Sequence, residues 1–168
     1  MDILLEQRAI QNPALGALLI SRVCKEYSKG GPPTQGLSLP KVLLVLPMLF
    51  HRQTVAAIKG MQRQSGLFKA LADNPYIKIG LQARFQSLTD STWTAILLAG
   101  QSKLILVDRT TPWPSLFPTS QAAKGLNELK PTHDDGRDML KAAARLGWWF
   151  RAFRDAELYS LLGLGVSR

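Results

Sequence analysis

The stretch "LPKVLLVLPMLF", residues 39–50, most limits what this chain can fold into. It is apolar on nearly every side of a helix and contains Lys41 and Pro47. A helix without a polar face has to be surrounded by other elements. Its 12 residues fall short of the roughly 20 that a membrane span requires. The run therefore predicts a buried central helix, kinked at Pro47.

The remaining elements can be placed around it. Asn12-Pro13 is a helix start, since asparagine caps well and proline suits the first helical position. That helix runs through "ALGALLISRVCKEY" and stops at "KGGPPTQG". After the central helix, "TVAAIKGM" supplies one or two turns. Ser65 is positioned to cap "GLFKALAD", Asn74-Pro75 to start "YIKIGLQARFQS", and Thr89 or Asp90 to cap "STWTAILLA", which ends at Gly100. "KLILVD", 103–108, reads as a strand, and the Pro-rich stretch 109–118 as a turn that returns in a second strand. Beyond a polar link come a long helix, "GRDMLKAAARLGWWFRAF", and a short one, "AELYSLLGLG".

The expected fold is mainly α: a compact helical domain with a winged-helix-like element and one small β-hairpin. The winged-helix-like part rests on a helix pair followed by a hairpin, 75–118. Residues 1–168 are expected to form a single domain, with a helical core at 1–74 and a C-terminal helical segment at 119–168.

Composition narrows the partners. The chain is 46 % apolar and 20 % charged, which excludes disorder. Its 21 Lys and Arg against 12 Asp and Glu give a formal charge of +9. That excess favours nucleic acid, an acidic protein face or anionic lipid, without choosing among them. It is spread along the chain, with no polybasic block. A single cysteine, Cys24, excludes an internal disulfide and fits a reducing cytoplasm. The N-terminal "MDILLEQRAIQNP" lacks the basic region of a signal peptide, so a cytoplasmic protein is expected.

Catalytic chemistry is poorly represented. His51 and His133 lie far apart without metal-ligand spacing, and His51 reads as a helix-end residue with a backbone partner. "THDDGRD" gathers His133, Asp134, Asp135 and Asp138, a composition that could suit a hard metal. It sits before a helix, however, where acidic groups complement the macrodipole, and that ordinary reading is preferred. There is no GxxxxGK[ST], GxGxxG or GxSxG motif. Cys24 falls on the apolar side of its helix and reads as an inert buried thiol. No enzyme, cofactor or metal is expected.

Specific DNA reading is also disfavoured. The groove-entering helix of a winged helix would be "LTDSTWTAILLAGQS", 88–102, which has no Lys or Arg and one Asp. Base readout needs basic or amide side chains there. A winged helix without them more often docks protein.

The stretch "KAAARLGWWFRAF" mixes basic residues and aromatics. At 100° per residue, Met139, Ala142, Ala143, Leu146, Trp149, Phe150 and Phe153 share an arc of about 120°, which is a core face. Trp148 points away from it beside Lys141, with Arg145 and Arg151 further round on either side. A tryptophan among cations and outside its own core reads as a partner-binding anchor, so Trp148, Arg145, Arg151 and Lys141 are the candidate site. The alternative is a tryptophan packed beneath the hairpin or the last helix. A membrane role is weakest, because folding already needs the apolar arc.

Taken together, "NPALGALLISRVCKEY", "GLSLPKVLLVLPMLFH", "LKAAARLGWWFRAF" and "LYSLLGLGV" resemble the small middle component of bacterial ABC-type three-component systems, among them the Lamassu-type anti-phage defence systems. The resemblance covers about 12–166. It rests on Asn12-Pro13, the Leu-Pro-rich helix ending at His51, Arg145-Leu146-Gly147 with an aromatic at 149, and a terminal Leu-Gly turn. Trp148 stands where a polar residue is more usual, which leaves its role particular to this chain. The resemblance implies a non-enzymatic adaptor that joins an SMC-like ATPase, which senses foreign DNA, to an effector such as a nuclease. It carries no catalytic residues over. Non-specific DNA contact would accompany that role, and the rival reading is a free-standing winged-helix DNA-binding transcriptional regulator.

Overall fold

A computed structural model describes residues 12–31, 35–121 and 134–165, the side chain of Asp134 apart. Among them are seven α-helices and three short strands: α1 (Pro13–Ser28), β1 (Leu37–Ser38), α2 (Leu39–Leu49), α3 (Arg52–Ile58), α4 (Gly66–Asp73), α5 (Leu81–Gln101), β2 (Ile105–Asp108), β3 (Ser115–Pro118), α6 (Asp134–Phe150) and α7 (Asp155–Leu161). The fold is mainly α and compact.

Helix α1 starts where capping chemistry places it. Asn12 Oδ1 accepts the Leu15 N–H at 3.2 Å, and Pro13 takes the first position. The apolar run becomes α2, and Val42, Leu44, Val45, Leu46, Met48 and Leu49 are all buried. It packs on α1, α5 and α6, as a helix without a polar face must. Pro47 lies in its last turn, where it cannot donate the usual N–H to the Leu43 carbonyl. The sharp change of direction comes after it, where α3 leaves α2 at 102°.

Lys41, the one charge in the run, is 5 % exposed and fully engaged. Its Nζ donates to Tyr27 Oη at 3.1 Å and lies 3.9 Å from Asp155 Oδ1, which also accepts from Ser38 Oγ at 2.7 Å. Tyr159 Oη donates to the Pro40 carbonyl at 2.6 Å, and burial pushes its phenol up to about 12. These bonds seat α7 on the start of α2. Gly163, at φ +72°, then ends α7 in the left-handed turn that glycine favours.

The middle of the chain departs from expectation. Ser65 ends a 3₁₀ turn in helical backbone and makes no side-chain cap. Asn74-Pro75 starts only the 3₁₀ turn Pro75–Lys78. The helix proper begins after Gly80, at φ +71°, and runs unbroken for 21 residues. Thr89 does not cap: its Oγ1 donates back to the Phe85 carbonyl at 2.8 Å, and Thr94 does the same to Asp90 at 3.1 Å. Such back-bonding lets threonine sit inside a helix instead of starting one. The helix pair expected at 75–99 is therefore one helix followed by the hairpin. Near its start, Arg84 donates to the carbonyls of Pro47, Ile77 and Ile79 at 3.0, 3.1 and 2.9 Å.

The hairpin β2–β3 forms as expected, and β1 adds a third strand. The sheet is antiparallel in the order β1-β3-β2, with Leu37 and Val107 both opposite Leu116. Two helix crossings depend on glycine. A Cβ on Gly16 would meet Ala95 Cβ at 3.0 Å, where α1 crosses α5. A Cβ on Gly147 would meet the Val23 carbonyl oxygen at 2.5 Å, where α6 crosses α1.

Backbone cannot swing aside as a side chain does. Gly147→Ala is expected to lower the melting temperature, its strain of about 1–3 kcal/mol exceeding the roughly 1 kcal/mol gained in helix propensity. A thermal melt showing a stabilised variant would contradict the close crossing.

Candidate partner-binding site

The arc on α6 packs as its periodicity dictates. Met139, Ala142, Ala143, Leu146, Trp149 and Phe150 are buried. Phe153 is half-buried just past the helix, which ends at Phe150, earlier than the expected 153.

Trp148 lies off this arc and is half-buried. It packs partly against the hydrophobic core. The Arg151 guanidinium sits 4.0 Å from its ring centroid and that of Arg63 5.3 Å away. Arg151 also donates to the Gly30 carbonyl at 3.0 Å. The structure therefore joins Trp148 to Arg151, as the sequence suggested, and adds Arg63. It does not bring in Arg145, whose Nε donates to the Met61 carbonyl. Lys141 is exposed on α6.

Loop 61–65 is thus held by α6 from several sides. Trp149 Nε1 donates to the Arg63 carbonyl at 2.9 Å, next to the Arg145–Met61 bond. Arg63 in turn reaches a fully buried carboxylate, Glu26, at 3.1 Å. Lys29 and Arg22 approach the same group at 2.9 and 3.6 Å. Lys25 is held below its ordinary pKa by partial burial, then by the charges of Arg22 and Lys29. Among the described residues, Arg22 Nε, Glu26 Oε2, Ser28 Oγ and Arg151 Nη1 are buried without a hydrogen-bond partner.

Beside Trp148 opens a cavity of about 520 Å³, lined by Gly30, Arg63, Phe68, Trp148, Arg151 and Phe153 among others. Arg63, Glu26 and Phe68 went unrecognised in the sequence. Glu26 between Arg22 and Lys29 looks like an ordinary surface ion-pair pattern, and nothing in "QRQS" marks Arg63 as its partner.

The other candidates have structural employment. Cys24 is buried, its Sγ donates to the Leu116 carbonyl at 3.2 Å, and burial pushes the thiol up to about 12. His51 stands at the start of α3, as expected, with Nδ1 paired to the Thr54 hydroxyl at 2.7 Å. Asp138 accepts from Lys59 Nζ at 2.7 Å and ties α6 to α3. Asp135 is exposed, whereas His133 and the Asp134 side chain lie outside the described residues. Among the described residues no group of three His, Cys, Asp or Glu is placed to hold a metal. Residues 88–102 turn Leu88, Thr92, Ala95, Ile96 and Ala99 inward and leave Trp93 and Leu97 exposed.

Residues 2–166 match the family model described as the ABC-three component (ABC-3C) system Middle Component 3. No curated protein and no solved structure matches the chain.

Two measurements check this packing. Phe150→Ala should cost about 3–5 kcal/mol of stability as a buried aromatic truncation. Trp148→Ala should cost only about 1–2 kcal/mol, the loss of two cation–π contacts at a half-buried site. Equal losses in chemical denaturation would place Trp148 in the core. Separately, Cys24 should resist iodoacetamide at pH 8, because thiolate is the reactive form and its pKa lies well above that pH. Alkylation of the folded chain as fast as of the denatured chain would contradict its burial.

Proposed function

We propose that this chain, which belongs to the Middle Component 3 family of ABC-three component systems, is the non-enzymatic adaptor of its system. In this reading it holds an SMC-like ATPase and an effector such as a nuclease in one complex, in the cytoplasm, as part of a Lamassu-type anti-phage defence. The observation that carries the reading is the extent of the match, 2–166 of 168 residues. The pattern of a middle component thus accounts for the fold as a whole. Membership of a multi-component system implies protein partners.

The distribution of side chains fits that role. The chemically distinctive groups, Glu26, Arg63, Trp148 and Arg151, join elements to one another, and the last three line a surface cavity. Among the described residues no single helix is long and apolar enough to cross a membrane. The charge of +9 supplies a general attraction for phosphate. The regulator reading lacks support, since 88–102 carries no cation and packs its long apolar face inward.

Co-expressed with the two other components of its system, the chain should purify with the ATPase as a stable complex. Alone it should hydrolyse neither ATP nor DNA, and its DNA binding should be weak, sequence-indifferent and steeply salt-dependent. Metal-dependent cleavage of DNA lost on changing Asp134 and Asp135 together would overturn the non-enzymatic reading. A promoter site bound more than about 1000-fold better than random duplex would restore the regulator.

A further inference from the structure

We propose that the trough between α4 and the α6–α7 junction is the docking site for an acidic, apolar peptide segment of another component of the complex. The proposal rests on the adaptor reading and assigns it a surface. Two adjoining depressions share Phe68, Ala152 and Phe153, so they form one continuous trough. One end reaches Gly30 and Arg151, and the other reaches Ala156 and Leu161.

The two ends differ in chemistry. Among the described residues, the lining of the Gly30 end carries Arg63 and Arg151 and no carboxylate. Behind it, Arg22, Lys29 and Arg63 share the single buried carboxylate of Glu26, and Lys25 is near enough to Arg22 and Lys29 to be depressed by them. Among the described residues, three cations thus share one carboxylate and Arg151, on the cavity lining, is paired with none, so the balance calls for an anion from outside. The middle is apolar: Phe68 is 71 % exposed, with Ala152 and Phe153 opposite. At the far end the one carboxylate, Glu157, already accepts the Arg154 N–H at 2.9 Å. An occupant that satisfies both ends places a carboxylate at Arg63 and Arg151 and apolar side chains over Phe68 and Phe153.

A nucleic-acid strand fits less well. Its phosphates need cations along the whole track, and its bases need a free aromatic face. The middle of the trough supplies no cation, and two guanidiniums already lie over the Trp148 ring.

The test replaces Phe68 with the photoreactive benzoyl-phenylalanine in the full chain, co-expressed with both companions, and maps the crosslink in the purified complex by mass spectrometry. The expected product joins position 68 to a companion segment carrying acidic and apolar residues. A crosslink to nucleic acid, to a second copy of this chain or to a basic segment overturns the proposal, as does no crosslink within an intact complex. If no complex forms, the adaptor reading falls and the docking site with it. An intact complex crosslinked elsewhere removes the docking site alone. In parallel, Phe68→Asp and Arg151→Ala should each weaken assembly about tenfold or more. Phe68→Asp, at an exposed position, should shift the isolated chain's melting temperature by no more than about 2 °C. Assembly unaffected by both substitutions also overturns the proposal.

Discussion

A carboxylate without solvent exposure, Glu26, is what the α1–α6 face is organised around. A buried charge is tolerable only when opposite charges and hydrogen bonds replace its water. Gly147 lets α6 approach α1 closely beside that residue: a Cβ on it would lie 2.9 Å from Glu26 Cβ. Loop 61–65 then has to come in with Arg63, and α6 secures the loop through Arg145 and Trp149. Arg63 and Arg151 both lie over the ring of Trp148. The candidate site is thus a consequence of solving one electrostatic problem inside the fold.

A second place in the core repeats the logic with the sign reversed. Lys41, carried into the interior by the apolar helix, is met by Tyr27 from α1 and Asp155 from α7. Ser38 and Tyr159 complete the set by bonding Asp155 and the Pro40 carbonyl. In both places a charge fixes how a short element seats on a long one. Apolar packing holds these elements together, and the ion pairs and hydrogen bonds join them at defined points.

What could be read in the sequence was what local chemistry decides. The Asn12-Pro13 start, the all-apolar central helix and the arc of α6 each depend on residues within a few turns of one another. That Trp148 points off the arc is legible for the same reason. What it faces is not, because Arg63 arrives from a loop distant in sequence whose own residues carry no signal. The strand at Leu37–Ser38 is too short to show alternation and exists only because Leu116 is opposite it. The supposed break at Thr89–Asp90 failed for a subtler reason. Threonine and aspartate are good caps when the backbone needs one, and here the threonine hydroxyls bond backward into a helix already under way.

That uninterrupted helix changes what the middle of the molecule is mechanically. Twenty-one residues at 1.5 Å each make a bar about 30 Å long. One end is gripped by three carbonyls through Arg84, and the other runs into the hairpin, where the Leu104 N–H bonds the Ala99 carbonyl at 2.9 Å. Two helices with a turn between them would absorb a push on the hairpin at their joint. A single bar has no joint, so a load on the hairpin is delivered at full length to Pro47 and the end of the central helix.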